Sequence, residues 1–155
     1  MNRILKTYNR LASLPLGRRI FSFLACVNAP YFSTIKPLFI SLEPGRCEIL
    51  MKKRRSVTNH LKTVDAIAMC NLVELAGGVC TDVSLPDDLR WIPRGMTVEY
   101  IALAKTDLKG VCLIDTERLK NWNLAEDFPA EVNCYDTSGN VVMRGIIKMH
   151  ISRKR

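Results

Sequence analysis

Residues 56–80 read SVTNHLKTVDAIAMCNLVELAGGVC: a polar run to Asp65, an apolar run after it, and Gly77-Gly78. Asp65 is a good helix N-cap, because its carboxylate can accept from the free amides of the next turn. From Ala66 the chain uses helix formers almost without a break, among them Ala68, Met69, Leu72, Glu74, Leu75 and Ala76. Apolar residues cover nearly the whole circumference, which predicts an enclosed helix rather than one lying on a surface. Gly77-Gly78 supplies the expected stop, giving a helix of about three to four turns.

Glu74 is the anomaly in this helix. A carboxylate among Leu72, Val73, Leu75 and Ala76 is expected to be buried. Buried carboxylates have perturbed pKa values and gather at functional sites. The bland alternative is that Glu74 reaches solvent or pairs with a basic residue of a sheet. The free amides of Ala66 and Ile67 make an oxyanion site at the helix start, and Asn59 adds a side-chain donor nearby in sequence. Ala66 and Glu74 lie about 12 Å apart along the axis, at 1.5 Å rise per residue. One reacting carbonyl cannot touch both within a chain. A second copy packed antiparallel would bring one chain's Glu74 to the other's helix start, so the site implies a two-fold dimer.

At these residues the sequence resembles a known family. The pattern Asn59, Asp65, Glu74 on a central apolar helix, followed by a strand-rich half, is similar to the hotdog-fold acyl-CoA thioesterases. It is nearest to the phenylacetyl-CoA and 4-hydroxybenzoyl-CoA thioesterase branch. The order of elements is similar from about Pro37 onward, while motif-level similarity is confined to residues 56–78. The resemblance implies an α+β hotdog fold, a central helix wrapped by a curved antiparallel sheet of five or six strands. It implies an oxyanion amide at Ala66, a loop amide side chain at Asn59, and a partner-subunit carboxylate at Glu74 acting as base or nucleophile. It implies an acyl-CoA or acyl-ACP substrate, with pantetheine as part of the substrate and no separate cofactor, and a homodimer or dimer of dimers. Asp65, Ala66 and Ile67 stand where the family commonly has His-Gly-Gly, and Gly78 where a Thr or Ser often follows the acid. Those departures motivate a second reading, a non-catalytic acyl or acyl-CoA binder on the same scaffold. His60 beside Asn59 motivates a third, because a His–Glu pair serves hotdog-type hydroxyacyl dehydratases. For His60 the plain alternative is a loop hydrogen bond.

The composition fits one domain with a sizeable core: 155 residues, 48% hydrophobic and 25% charged. Six cysteines without a C-x-x-C pair read as reduced core thiols of a cytoplasmic protein, and no spacing suits zinc. The net charge of +8 comes from the first twenty residues, from Lys52-Lys53-Arg54-Arg55 and from the C-terminus. No aromatic-rich strand accompanies these clusters, so a nucleic-acid partner is not expected. Basic residues at a cleft mouth would suit the phosphates of CoA, and a solvated face is the plain alternative. There is no G-x-S-x-G elbow, Walker loop, Rossmann fingerprint or H-E-x-x-H.

Before the central helix, Ile4, Leu5, Tyr8 and Leu11 repeat at helical spacing, and Ile20, Phe21, Phe23, Leu24 and Val27 suggest a second helix. Residues 1–36 are read as a helical extension docked on a single domain of residues 37–155, in preference to a signal or anchor. A basic amphipathic helix on a membrane surface is the remaining alternative. No stretch is expected to span a bilayer. Residues 38–43 read as a strand, paired through Pro44-Gly45 with 46–55. Strands are also expected at 78–85, 96–105, 111–115, 130–135 and 141–152, with an irregular link at 90–95 and a polar loop or broken strand at 116–127.

Overall fold

The computed structural model describes residues 2–154. Helices α1 (Arg3–Ala12) and α2 (Gly17–Asn28) lead in, as the periodicity predicts, and a 3-10 turn spans Pro30–Ile35. Strands β1 (Leu38–Glu43) and β2 (Arg46–Met51) precede helix α3 (Ala66–Ser84). Strand β3 (Leu89–Tyr100), strand β4 (Leu108–Leu113), helix α4 (Thr116–Lys120), strand β5 (Asp127–Tyr135) and strand β6 (Val141–Arg153) follow.

Helix α3 does not stop at Gly77-Gly78, and the strand expected at 78–85 is its last turns. The two glycines mark close approach instead. A Cβ on Gly77 would lie 2.5 Å from Ile147 Cδ1, and one on Gly78 would lie 2.8 Å from the Trp91 ring. Glycine costs a helix interior about 1 kcal/mol against alanine. Here the missing Cβ lets the helix sink into the sheet. Thr81 and Ser84 then bond back to the carbonyls of Gly77 and Cys80, and Ser84 Oγ also accepts from Gly45 N–H at 2.8 Å.

The six strands form one sheet in the order β1-β2-β4-β5-β6-β3, every neighbouring pair antiparallel. Alternation along the strands turns Cys47, Ile49, Met51, Cys112, Val132, Met143, Ile147 and Met149 inward. They enclose Leu72, Val73, Ala76 and Cys80 of α3. This is the hotdog arrangement, with the first strand pair before the helix and four strands after it. By length and composition α3 is long and apolar enough to cross a membrane, contrary to expectation, yet it is the mostly buried core helix. All six cysteines are free thiols, four of them buried. Burial leads the upward shift of the Cys47 and Cys134 thiols, the latter to about 12.

Several boundaries differ from expectation: β2 ends at Met51 rather than at residue 55, β4 runs over Leu108–Leu113 rather than 111–115, and β5 begins at Asp127 rather than at residue 130. The link at 90–95 belongs to β3, which absorbs the irregularity as a bulge between Pro93 and Gly95. The strand expected to reach 105 ends at Tyr100, because the next two amides, of Ile101 and Ala102, both donate to the Val142 carbonyl. In the polar segment, Asp115 caps α4 by accepting from the amides of Glu117 and Arg118, which seats Leu119 in the core.

The N-terminal helices pack on β1. Phe21 meets Tyr8 and Phe39 edge to face at 5.0 Å each, and Tyr8 Oη donates to the Ile40 carbonyl. Asn2 caps α1 and donates its amide to Asp82 on α3.

Candidate active site

Helix α3 is covered on all sides but one. Successive residues turn by about 100°, so Ile67, Cys70 and Glu74 share a stripe. Ile67 is 63% exposed, Cys70 is half-buried and Glu74 is exposed. Of the two readings of Glu74, buried or reaching solvent, the single chain takes the second: the sheet ends at β3 before it wraps this face. Among the described residues the Glu74 carboxylate makes no hydrogen bond or ion pair.

Strand β3 borders the stripe and runs antiparallel to the helix. At one end Trp91 covers Gly78 and donates from Nε1 to Asp82 Oδ1 at 3.1 Å. At the other end Tyr100 Oη lies 3.2 Å from Cys70 Sγ. That hydrogen bond, then desolvation and the charges of Cys70 and Asp65, push the Tyr100 hydroxyl up to about 12. Glu74 sits between these two aromatic contacts along the helix. β3 is also an edge strand, unpaired on its outer side for 12 residues, and Ile92, Met96 and Tyr100 on it are exposed.

At the helix start, the Asp65 carboxylate accepts from Ile67 N–H at 2.9 Å. The Ile67 amide, expected to be free, is therefore taken by the cap. Among the described residues the Ala66 N–H meets no acceptor. Asn59 closes the preceding loop: its Oδ1 accepts from Leu61 N, Thr63 N and Thr63 Oγ1 at 3.0, 3.3 and 3.1 Å. This is the local side-chain turn asparagine favours, and it leaves the Nδ2 donors outside the loop's bonding. His60 is exposed in the same loop, with no link to Glu74. Within one chain, Asn59, Asp65 and Ala66 gather at the helix start, and Glu74 lies two turns away.

Sequence reasoning missed Cys70 and Asn71; it read Trp91 as a core aromatic or a pocket cap and Tyr100 only as a strand residue. Asn71, one turn before Glu74, is buried and donates to Thr34 Oγ1 at 3.0 Å, while its Oδ1 is buried without a partner. Tyr100 was legible as an alternating strand residue, but its place on the helix needed the β3–β6 register. An open hollow of about 490 Å³ lies elsewhere, on the convex face around Arg46, Glu48, Lys109 and Tyr135. Among the described residues no cluster of His, Cys, Asp and Glu could hold a metal.

The sequence profile of the domain of unknown function DUF4442 matches residues 17–151. The chain belongs to the DUF4442 family. No curated protein matches it. A solved structure, the genomics target APC5556, shares 38% identity over 97% of this chain and 99% of its own, with a TM-score of 0.82. A Pseudomonas aeruginosa protein of unknown function, described as a probable thioesterase, shares 22% identity over 92% of this DUF4442 chain and 97% of its own, at TM-score 0.76. A Haemophilus influenzae thioesterase shares 8% identity over 84% and 87%, at TM-score 0.71. These last two likenesses are of fold.

Proposed function

We propose that this DUF4442 protein hydrolyses acyl-CoA or acyl-ACP thioesters at a site completed by a second copy of the chain. The observation that carries the reading is Glu74, unpaired and exposed on the one bare face of a core helix, beside a bare edge strand. Two β3 edges paired antiparallel about a two-fold axis would continue the sheet and lay the two α3 helices side by side. One chain's Glu74 would then face the other's Ala66 amide, closing the gap of about 12 Å that separates them within a chain. The thioesterase names of the hotdog neighbours in Pseudomonas aeruginosa and Haemophilus influenzae support the reaction class.

In this mechanism the Ala66 N–H holds the thioester carbonyl oxygen, and Glu74 of the partner takes a proton from water as its oxygen attacks the carbonyl carbon. Negative charge collects on the carbonyl oxygen opposite the Ala66 amide. Collapse breaks the C–S bond, and the proton held by Glu74 passes to the departing thiolate. Asn59 Nδ2 orients the water. The pantetheine arm belongs to the substrate, and no metal or separate cofactor takes part. Glu74→Ala should lower thiol release from a panel of short, long and aromatic acyl-CoA substrates by about 10²–10⁴-fold, with the sedimentation of the protein unchanged. Unchanged turnover in that variant would refute the mechanism.

One observation favours a second reading, a non-catalytic acyl-thioester binder. The Asp65 carboxylate sits at the helix mouth, one residue from the Ala66 amide, where a developing oxyanion would meet its charge. Saturable acyl-CoA binding by the wild-type protein with no thiol release decides for the binder.

A further inference from the structure

Helix α2 is built inside out for a helix on the surface of a domain. Its inner face is small and polar except for Phe21: Gly17 and Ser22 are buried, and Ser22 Oγ accepts from Phe39 N–H at 2.9 Å. Its outer face carries the large apolar residues. Ile20, Phe23, Leu24 and Val27 fall within an arc of about 100°, opposite Phe21 and Ala25. Phe23 is 68% and Val27 60% exposed, and large apolar residues are exposed just beyond each end of the helix too, Leu16 at 68% and Tyr31, in the turn that follows, at 66%. Scattered exposed apolar residues are ordinary, whereas an aligned stripe of this kind marks a contact surface.

The charge around the stripe states what it contacts. No aspartate or glutamate occurs before Glu43, whereas Arg3, Lys6, Arg10, Arg18, Arg19 and Lys36 all do. On α1 the outer face is basic: Arg3, Lys6 and Arg10 lie within about 60° of one another, opposite the buried Leu5 and Tyr8. Both helices pack inward on β1, through Tyr8 and Phe21, so the basic face of α1 and the apolar face of α2 both turn away from the domain. Apolar side chains beside a run of cations with no anion are what an anionic bilayer surface attracts. A protein partner or a second copy would need acidic residues opposite these cations, and the N-terminal helices themselves supply none.

We propose that α1 and α2 form a docking surface for anionic phospholipid bilayers, with Phe23, Val27, Leu16 and Tyr31 entering the headgroup boundary and Arg3, Lys6 and Arg10 lying over the phosphates. This holds whichever way the α3–β3 site functions. The stripe is peripheral: it lies on the surface and does not span.

The test is co-sedimentation of the full chain with vesicles of phosphatidylcholine containing about one quarter phosphatidylglycerol, against vesicles of phosphatidylcholine alone. Binding to the anionic vesicles should exceed binding to the neutral ones by about tenfold or more, and should fall as salt is raised. Phe23→Ser with Val27→Ser should abolish it, with the far-ultraviolet circular dichroism unchanged because both side chains sit in solvent. Lys6→Glu with Arg10→Glu should abolish the preference for anionic vesicles. Absence of wild-type binding at low salt, or equal binding by the serine variant, would overturn the proposal. So would a wild-type oligomer that the serine variant dissociates and that binds no vesicle, since a second copy would then cover the stripe.

Discussion

Gly77→Ala tests whether the glycine pair lets the helix approach the sheet rather than ending it. In an ordinary helix this change stabilises by about 1 kcal/mol. Here the new Cβ would sit 2.5 Å from Ile147 Cδ1 and 3.2 Å from Val132 Cγ2. Overpacking of this kind costs about 1–3 kcal/mol, so the net effect runs from neutral to a loss of about 2 kcal/mol. Ile147→Val removes the Cδ1 atom concerned and alone costs about 1 kcal/mol. Combined, the two changes should cancel in part, because the nearest remaining Ile147 atom is Cγ1 at 3.7 Å. The double variant should therefore lie about 1–2 kcal/mol above the sum of the singles. Urea unfolding at one fixed protein concentration measures this, with the m-value as a check that the unfolded state is unchanged. A coupling below about 0.5 kcal/mol, or a Gly77→Ala protein more stable than wild type, would refute the close-approach argument.

Two pH-dependent outcomes follow from other contacts. On the convex face burial disfavours ionised Glu48, but the Arg46 hydrogen bond and the charges of Lys109 and Arg46 outweigh it and hold the carboxyl below its ordinary value of 4.5. A depressed carboxylate stabilises above its unfolded pKa and loses that effect as pH falls through the folded one. Glu48→Gln should therefore cost about 1–2 kcal/mol at neutral pH, and the deficit should begin to shrink as pH falls below 4.5 and vanish once pH has fallen through the lower folded value. The Tyr100 hydroxyl, raised from 10.0 to about 12, has the opposite sign: its contribution is complete below pH 10.0 and is lost as pH rises toward 12. Phenolate absorbance should show a component titrating near 12 that Tyr100→Phe deletes.

The fold was largely legible because its signals were local. Asp65 announced the helix start, alternation announced the later strands, and Pro44-Gly45 announced the first hairpin. Gly77-Gly78 was misread because a glycine pair looks the same whether it ends a helix or lets it touch a neighbour, and only Ile147 and Trp91 distinguish the two. Trp91 lies in β3 and Ile147 in β6, far along the chain. Glu74 was singled out as anomalous for sound reasons, but the sequence left it open whether the carboxylate is buried or reaches solvent, and the structure takes the latter. Periodicity shows that a helix is apolar nearly all round, but not which narrow sector the sheet leaves open. The Tyr100–Cys70 contact joins residues whose meeting depends on strand register, and no motif encodes that.

The outer rim of β3 also bears on how the protein survives in a crowded solution. A long row of unsatisfied peptide groups is a template on which any extended chain could stack, and such stacking begins fibrils. Pro93, which has no N–H to offer, and the bulge beside it divide the row into two short runs. An intruding strand could zip along one run but not across the break, so uncontrolled growth is discouraged before any proper neighbour arrives.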